Sequence, residues 1–228
     1  RSDRQPEFTQ VDVEMSFVSE DDVMELGENL VANVFKDVLN MDIKLPLMRM
    51  KYDDAINNYG SDKPDLRFGM EIKELSSIFK NTDFMVFKNV LENNGIINAI
   101  VVNDAADKFS RKDIDKFTDF VKGFGAGGLA YLKFQEEISG SIVKVISEEE
   151  VNNLKKDLDI NNNDLVLIIS GNKRIVKSSL GALRCKLARD LDLINKDDYK
   201  LLWITDFPSF EWSDEEQRFM ACHHPFTS

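Results

Sequence analysis

The run RSDRQPEFTQVDVEMSF at residues 1–17 decides how the rest of the chain is read. Val11, Val13, Met15 and Phe17 alternate with Gln10, Asp12, Glu14 and Ser16. That period of two predicts a half-buried strand with one apolar and one polar face. Asp12 then stands in a polar row, and a floor of such strands can present side chains to a ligand. At the far end, Cys222 leads into HHPFTS at 223–228, which contains both histidines of the chain. Neighbouring residues on a strand face opposite ways, so of His223 and His224 normally one enters a site.

Working outward, Ser19 with Asp22 forms a capping-box pattern, and Val23, Leu26, Leu30, Val34 and Val38 follow at helical spacing. A strand near 47–50, a helix over 53–59, a turn-rich GSDKPD at 60–65 and a short helix over 72–79 complete a first block. From about residue 81 the texture changes to compact α/β units. The strand IINAIVV (96–102) is followed by a helix capped by Ser110 and Asp113, and a GAGG turn (125–128) leads into a strand over 129–134. Ser147 with Glu150 caps a further helix, NNND (161–164) breaks it, LVLIIS (165–170) is another strand, and a long helix spans 173–193. After it come a strand at 201–206, an acidic turn at 213–216 and a strand leading into His223.

Composition excludes several classes. The chain has 228 residues, 43% of them hydrophobic, enough for a core of ordinary size. No apolar run approaches the roughly 18 residues of a membrane span and no signal-peptide pattern opens the sequence, so a cytoplasmic protein is expected. Cys185 and Cys222 lack metal-ligand spacing and read as reduced packing residues; no metal site is expected. The absence of an initiating Met reads as a segment of a longer chain. With 41 acidic against 29 basic side chains the net charge is -12, which argues against an extended nucleic-acid surface and leaves at most a limited patch.

Four separated stretches carry a resemblance: RSDRQPEFTQVDVE (1–14), YGSDKPDLRFGME (59–71), LLWITDFPSFEW (201–212) and HHPFTS (223–228). In that order they resemble bacterial-type aspartyl-tRNA synthetases of class II, from within motif 2 onward. Ser209 departs from the usual Met, and the arginine that clamps the α-phosphate in the family lies upstream of this sequence. The resemblance implies an α/β (α+β) fold in which a class II antiparallel catalytic sheet is interrupted by an α+β insertion. Residues 1–80 would be the first part of the catalytic domain, 81–195 a GAD-like insertion and 196–228 the second part. GAGGLAYLKF (125–134) is the nearest likeness to the GAD domain, with Gly127 where members commonly carry Lys.

The implied activity is aspartate–tRNA ligation: ATP-dependent activation of L-aspartate to aspartyl-adenylate, then transfer to the 3′ end of tRNA. Positioning and electrostatic stabilisation do that work, so no catalytic nucleophile is assigned to the protein. Asp12, His223 and His224 match aspartate-binding positions, and an imidazole beside a dicarboxylate ligand tends to be held protonated. Gln5 and Arg1 match ATP-binding positions, and Arg4 could meet ATP or tRNA. Outside the motif, Asp12 would be an ordinary solvated carboxylate, Gln5 a loop residue, and either arginine a surface ion-pair partner. Implied partners are ATP with Mg2+, whose ligands are expected outside this chain, L-aspartate, tRNA(Asp), with tRNA(Asn) left open, and a second subunit forming a homodimer; no membrane is implied. Two alternatives stay open: a non-catalytic tRNA-binding insertion module, and a GAD-containing subunit of a tRNA-dependent amidotransferase. The fragment alone is expected to be inactive.

Overall fold

The computed structural model describes residues 7–213 and 216–222. The chain divides into two compact units, Arg1–Met48 and Arg49–Ser228.

In the first unit, helix α1 (Glu20–Leu39) starts at the expected capping box. The Asp22 amide donates to the Ser19 hydroxyl at 3.4 Å and the Ser19 amide donates back to the Asp22 carboxylate at 2.7 Å. These hydrogen bonds hold the Asp22 carboxyl below its ordinary pKa. The helix stops where Asn40 turns left-handed at φ 51°. Val23, Leu26, Leu30, Val34 and Val38 on α1 remain 42–74% exposed. The strand predicted over 11–17 is not formed. Residues 11–15 have no ladder partner among the described residues, and Val11 and Val13 lie exposed. Alternation predicts a strand only where a neighbour supplies the lateral hydrogen bonds, and none does here.

The second unit is built on a five-stranded antiparallel sheet in the order β2-β3-β6-β4-β5. Its strands are β2 (Lys73–Glu74), β3 (Ile96–Val102), β4 (Ala130–Phe134), β5 (Ser139–Gly140) and β6 (Asp164–Gly171). β6 lies between β3 and β4 and runs antiparallel to both, so β3 and β4 are parallel, the split arrangement of an α+β layer. Both faces are covered, which is why β6 reads as continuous apolar sequence rather than alternation. Ile100, Val102, Leu165, Leu167 and Ile169 point to one core with Ile114, Phe117 and Val121 of α4 (Arg111–Lys122) and Val176, Leu180, Leu183 and Leu187 of α6 (Lys173–Asp190). Ile97, Ala99, Val166 and Ile168 point to the other, with Phe87 of α3 (Met85–Glu92) and Leu154 of α5 (Glu148–Asp157). Each fully buried Leu, Ile or Phe contributes about 1.5–3 kcal/mol of transfer free energy.

The helix predicted over 72–79 is also absent. Lys73 and Glu74 pair with Ala99 and Asn98 as β2. Ile72, Leu75 and Phe79 have helical spacing, yet the sheet edge separates them: Ile72 enters the first core, Leu75 and Phe79 the second. The free edge of β3 offers ladder bonds, and the Ser76 hydroxyl accepts from the Ile97 amide at 3.0 Å, so tertiary pairing overrides the local period. The sheet therefore begins upstream of residue 81. Helix α3 carries no predictive signal at its start because Phe84 provides no side-chain cap. The capping boxes of α4 and α5 form as expected at Ser110 with Asp113 and Ser147 with Glu150.

Flanking the sheet, β1 (Met48–Lys51), whose last three residues lie in the second unit, pairs with β7 (Leu202–Thr205), and β8 (Phe210–Ser213) pairs with β9 (Arg218–Ala221) as a hairpin. Helix α2 (Tyr52–Tyr59) ends at Gly60, whose φ of 70° suits glycine. There the backbone runs hard against α6: a Cβ on Gly60 would lie 2.1 Å from the Lys177 carbonyl, and one on Gly181 would lie 2.6 Å from the Tyr59 carbonyl.

Candidate functional site

Three local features converge at the end of β9. Tyr52 opens α2 immediately after β1, so its ring is set beside Phe207 at 5.0 Å between centroids. Its hydroxyl donates to Glu211 Oε1 at 2.9 Å from β8. The Cys222 amide donates to the Ser209 carbonyl at 3.0 Å, which carries hairpin pairing one step past β9. Tyr52, Phe207, Glu211 and Cys222, together with Asp62, Pro208, Met220 and Ala221, line a cavity of about 230 Å³. Partial burial, reinforced by Glu211 and then Asp62, pushes the Tyr52 phenol up to about 12, so Tyr52 stays protonated and keeps donating. Burial beside Glu211 also raises the Cys222 thiol. The cavity thus offers the carboxylates of Asp62 and Glu211 as acceptors, with the Tyr52 hydroxyl held on Glu211.

The SDKPDLR segment folds into a tight turn next to it. The Lys63 amide donates to the Ser61 hydroxyl at 3.0 Å, and Arg67 makes a two-point contact with Asp65 at 2.9 and 2.8 Å. The Arg67 hydrogen bonds hold the Asp65 carboxyl below its ordinary range. Arg67 is therefore committed to its own loop. A shallower recess of about 260 Å³ lies between this turn and Asp198, Tyr199 and Lys200.

Of the predicted site residues, Asp12 lies in the first unit, exposed and outside any strand. Arg1, Arg4, Gln5, His223 and His224 lie outside the described residues. Within the second unit, two of the four signatures, YGSDKPDLRFGME through Asp62 and LLWITDFPSFEW through Phe207, Pro208 and Glu211, share one cavity, which Cys222, the residue before HHPFTS in sequence, also lines. Tyr52, Asp62 and Glu211 were not singled out from the sequence. Asp62 and Glu211 sit inside the signatures, which was the available signal; Tyr52 lies outside all four and had none. Among the described residues no group of three or more His, Cys, Asp or Glu side chains could hold a metal ion. No helix among them is long and apolar enough to cross a membrane.

The whole of residues 1–228 matches the family described as tRNA synthetases class II (D, K and N). The chain belongs to that family. It is 50% identical to an aspartate–tRNA ligase of Clostridium botulinum (strain Loch Maree / Type A3) over 100% of its own length and 38% of the relative's. It is 49% identical to an aspartate–tRNA(Asp/Asn) ligase of Geobacillus sp. (strain WCH70), again over 100% of this chain and 38% of the relative. A solved structure of a hypothetical protein from Pyrococcus horikoshii OT3 covers 47% of the chain at 16% identity and a TM-score of 0.32, too remote to bear on the fold. This class II chain thus spans 38% of the length of the curated relatives it matches, and its α/β architecture with an antiparallel sheet accords with the family.

Proposed function

We propose that this chain is part of an aspartate–tRNA ligase, an aminoacyl-tRNA ligase that activates L-aspartate with ATP and transfers it to the 3′ end of tRNA. In the first step an aspartate carboxylate oxygen attacks the α-phosphorus of ATP and pyrophosphate leaves. In the second a terminal ribose hydroxyl attacks the adenylate carbonyl and AMP leaves. The observation that carries the reading is half identity along the entire chain to enzymes so named, with all four signatures in order.

On this reading Asp12, His223 and His224 bind aspartate, Gln5 and Arg1 bind ATP, and Arg4 meets ATP or the acceptor end. Asp12 accepts from the substrate ammonium, and a protonated His223 answers the substrate side-chain carboxylate. ATP would enter with Mg2+, which would supply neutralising positive charge to the phosphates and whose ligands are proposed to lie beyond this chain. The five-stranded sheet with α3 to α6 is the insertion domain, with its upstream edge near residue 71 because Ile72, Leu75 and Phe79 belong to its cores. The reading extends to tRNA(Asp) as substrate and to a homodimeric, cytoplasmic enzyme, and leaves tRNA(Asn) open as a second acceptor, since one relative is named for tRNA(Asp/Asn) and another simply as an aspartate–tRNA ligase. The family match across 1–228 disfavours the amidotransferase alternative.

The test is pyrophosphate exchange into ATP by the full-length protein. Exchange should require L-aspartate. Equal exchange with asparagine or lysine, or none with any amino acid, would sink the reading.

A further inference from the structure

Arg184 is completely buried in the second unit, yet among the described residues no carboxylate is bound to it. From the middle of α6 its Nη1 and Nη2 donate to the Asp65 carbonyl at 3.1 Å each, Nη2 also donates to the Phe68 carbonyl at 3.3 Å and the Gly69 carbonyl at 2.8 Å, and Nε donates to the Met70 carbonyl at 3.3 Å. The guanidinium lies 4.3 Å from the Phe68 ring centre and 5.0 Å from that of Tyr59. The nearby Asp65 carboxylate is taken by Arg67. A buried cation is costly unless all its donors are met, and a planar fork of five N–H groups can reach several carbonyls that a single ammonium cannot.

The acceptors are not scattered. All four belong to residues 65–70, the continuation of the turn whose Asp62 lines the cavity beneath Cys222. Nothing else within 65–70 would order so many carbonyls, because this stretch contains no helix or strand. Two turns earlier on α6, Lys177 donates to the Asn57 carbonyl at 2.7 Å, and the helix backbone meets Gly60 closely enough to exclude a side chain. Arg184 thus moulds residues 65–70 on α6, a helix that otherwise belongs to the five-stranded sheet, whereas Lys177 ties down the end of α2 and makes no bond to that stretch.

We propose that Arg184 is a positioning residue: by gripping the carbonyls of Asp65, Phe68, Gly69 and Met70 it fixes the 61–70 turn against α6, and so lets the inserted sheet set the geometry of the Asp62 cavity. The proposal rests on the aspartate-activation reading, in which that cavity adjoins the amino-acid site. It gives the inserted layer an indirect part in activation, through the placing of Asp62.

The experiment uses the full-length enzyme with three variants. Arg184→Lys keeps the charge and loses the fork; Phe68→Leu removes one ring face and leaves the arginine; Lys177→Met, on the same helix, serves as the control for lost stability. Amide hydrogen exchange reports the 61–70 segment, and aspartate-dependent pyrophosphate exchange reports the cavity. Arg184→Lys should speed exchange in 61–70 by about tenfold or more while β3 and β6 stay protected, with kcat/KM for aspartate falling about tenfold, mostly through KM. Phe68→Leu should move both readouts the same way by less, and it decides the matter if Arg184→Lys does not fold. Lys177→Met should leave 61–70 protected and kcat/KM within about twofold of the parent. Unchanged protection in Arg184→Lys, a loosened segment with unaltered kinetics, or an equal response in Lys177→Met each overturns the proposal. If the parent enzyme shows no aspartate-dependent exchange, the activation reading fails, and amide protection alone decides whether Arg184 holds the turn.

Discussion

Replacing Gly60 by alanine probes a close approach of α2 to the backbone of α6. Two costs combine. At φ 70° the backbone is left-handed, which costs an alanine about 1–2 kcal/mol relative to glycine. The new Cβ would also fall 2.1 Å from the Lys177 carbonyl oxygen and 2.9 Å from the Gly181 Cα, backbone atoms of α6 that cannot rotate away. Forcing such packed elements apart costs about 1–3 kcal/mol, so the expected loss is about 2–5 kcal/mol. Gly125 supplies the reference: its φ is 92°, but an added Cβ meets only the Ile175 side chain at 3.6–3.8 Å, which is ordinary contact. Gly125→Ala therefore carries the backbone cost alone, and since 92° is less favourable still for alanine, the difference between the variants is a lower bound on the cost of the clash. Urea unfolding followed by fluorescence measures it, because both tryptophans, Trp203 and Trp212, lie in the second unit. The midpoint should fall further for Gly60→Ala than for Gly125→Ala, at unchanged slope. Equal midpoints would mean that α2 and α6 are not in contact at Gly60 and that the moulding of the 61–70 turn on α6 is wrong.

Lys177 is buried to 6% exposure, and desolvation lowers its ammonium to about 8 from an ordinary 10.5. Between those values the unfolded chain binds more protons than the folded one, so the stability of the parent relative to Lys177→Met should rise as pH goes from 8 to 10.5; a flat difference would show a solvated ammonium. Asp12→Ala in the full-length enzyme should lower kcat/KM for aspartate by about 1.5–3 kcal/mol, the loss of one charge-assisted hydrogen bond, and leave melting unchanged since Asp12 is exposed; a melting shift without a kinetic one would make Asp12 structural. Excising 81–195 should yield a protein that binds hydrophobic dyes or aggregates, because Ile72, Leu75 and Phe79 lose the cores that bury them, whereas moving the upstream cut to residue 71 should restore solubility. A soluble 81–195 deletion with full aspartate-dependent exchange would contradict both the domain edge and the Arg184 proposal.

Reading the sequence located elements well wherever the signal was local. The boxes at Ser19, Ser110 and Ser147 each pair a hydroxyl with a carboxylate three residues on, and each begins a helix. The apolar runs of β3 and β6 mark a sheet covered on two faces. Misreadings occurred where a partner decided the outcome. Residues 72–79 have the spacing of a helix, but a free edge on β3 drew Lys73 and Glu74 into the ladder. Residues 11–15 alternate as a strand should, without a neighbour among the described residues to make them one. The candidate site was legible through its signatures, which marked Asp62 and Glu211 as neighbours of something important without saying what they do.

Arg184 shows the limit most clearly. In sequence it is one basic residue on an amphipathic helix, and the ordinary expectation for such a residue is a solvated charge. What makes it different is that the carbonyls of residues 65–70 have no ladder of their own, a property of a segment more than a hundred positions away. Lys177 repeats the pattern two turns earlier: its ammonium reaches the Asn57 carbonyl and, with the Asn98 amide turned so that its oxygen faces it, the middle of β3 at 2.9 Å. Two cations on one helix face therefore bind the main sheet and the α2-to-Met70 segment into one body. A boundary drawn from texture at residue 81 cuts through that body, because charge that looks solvated in sequence is spent on backbone that only the fold brings near.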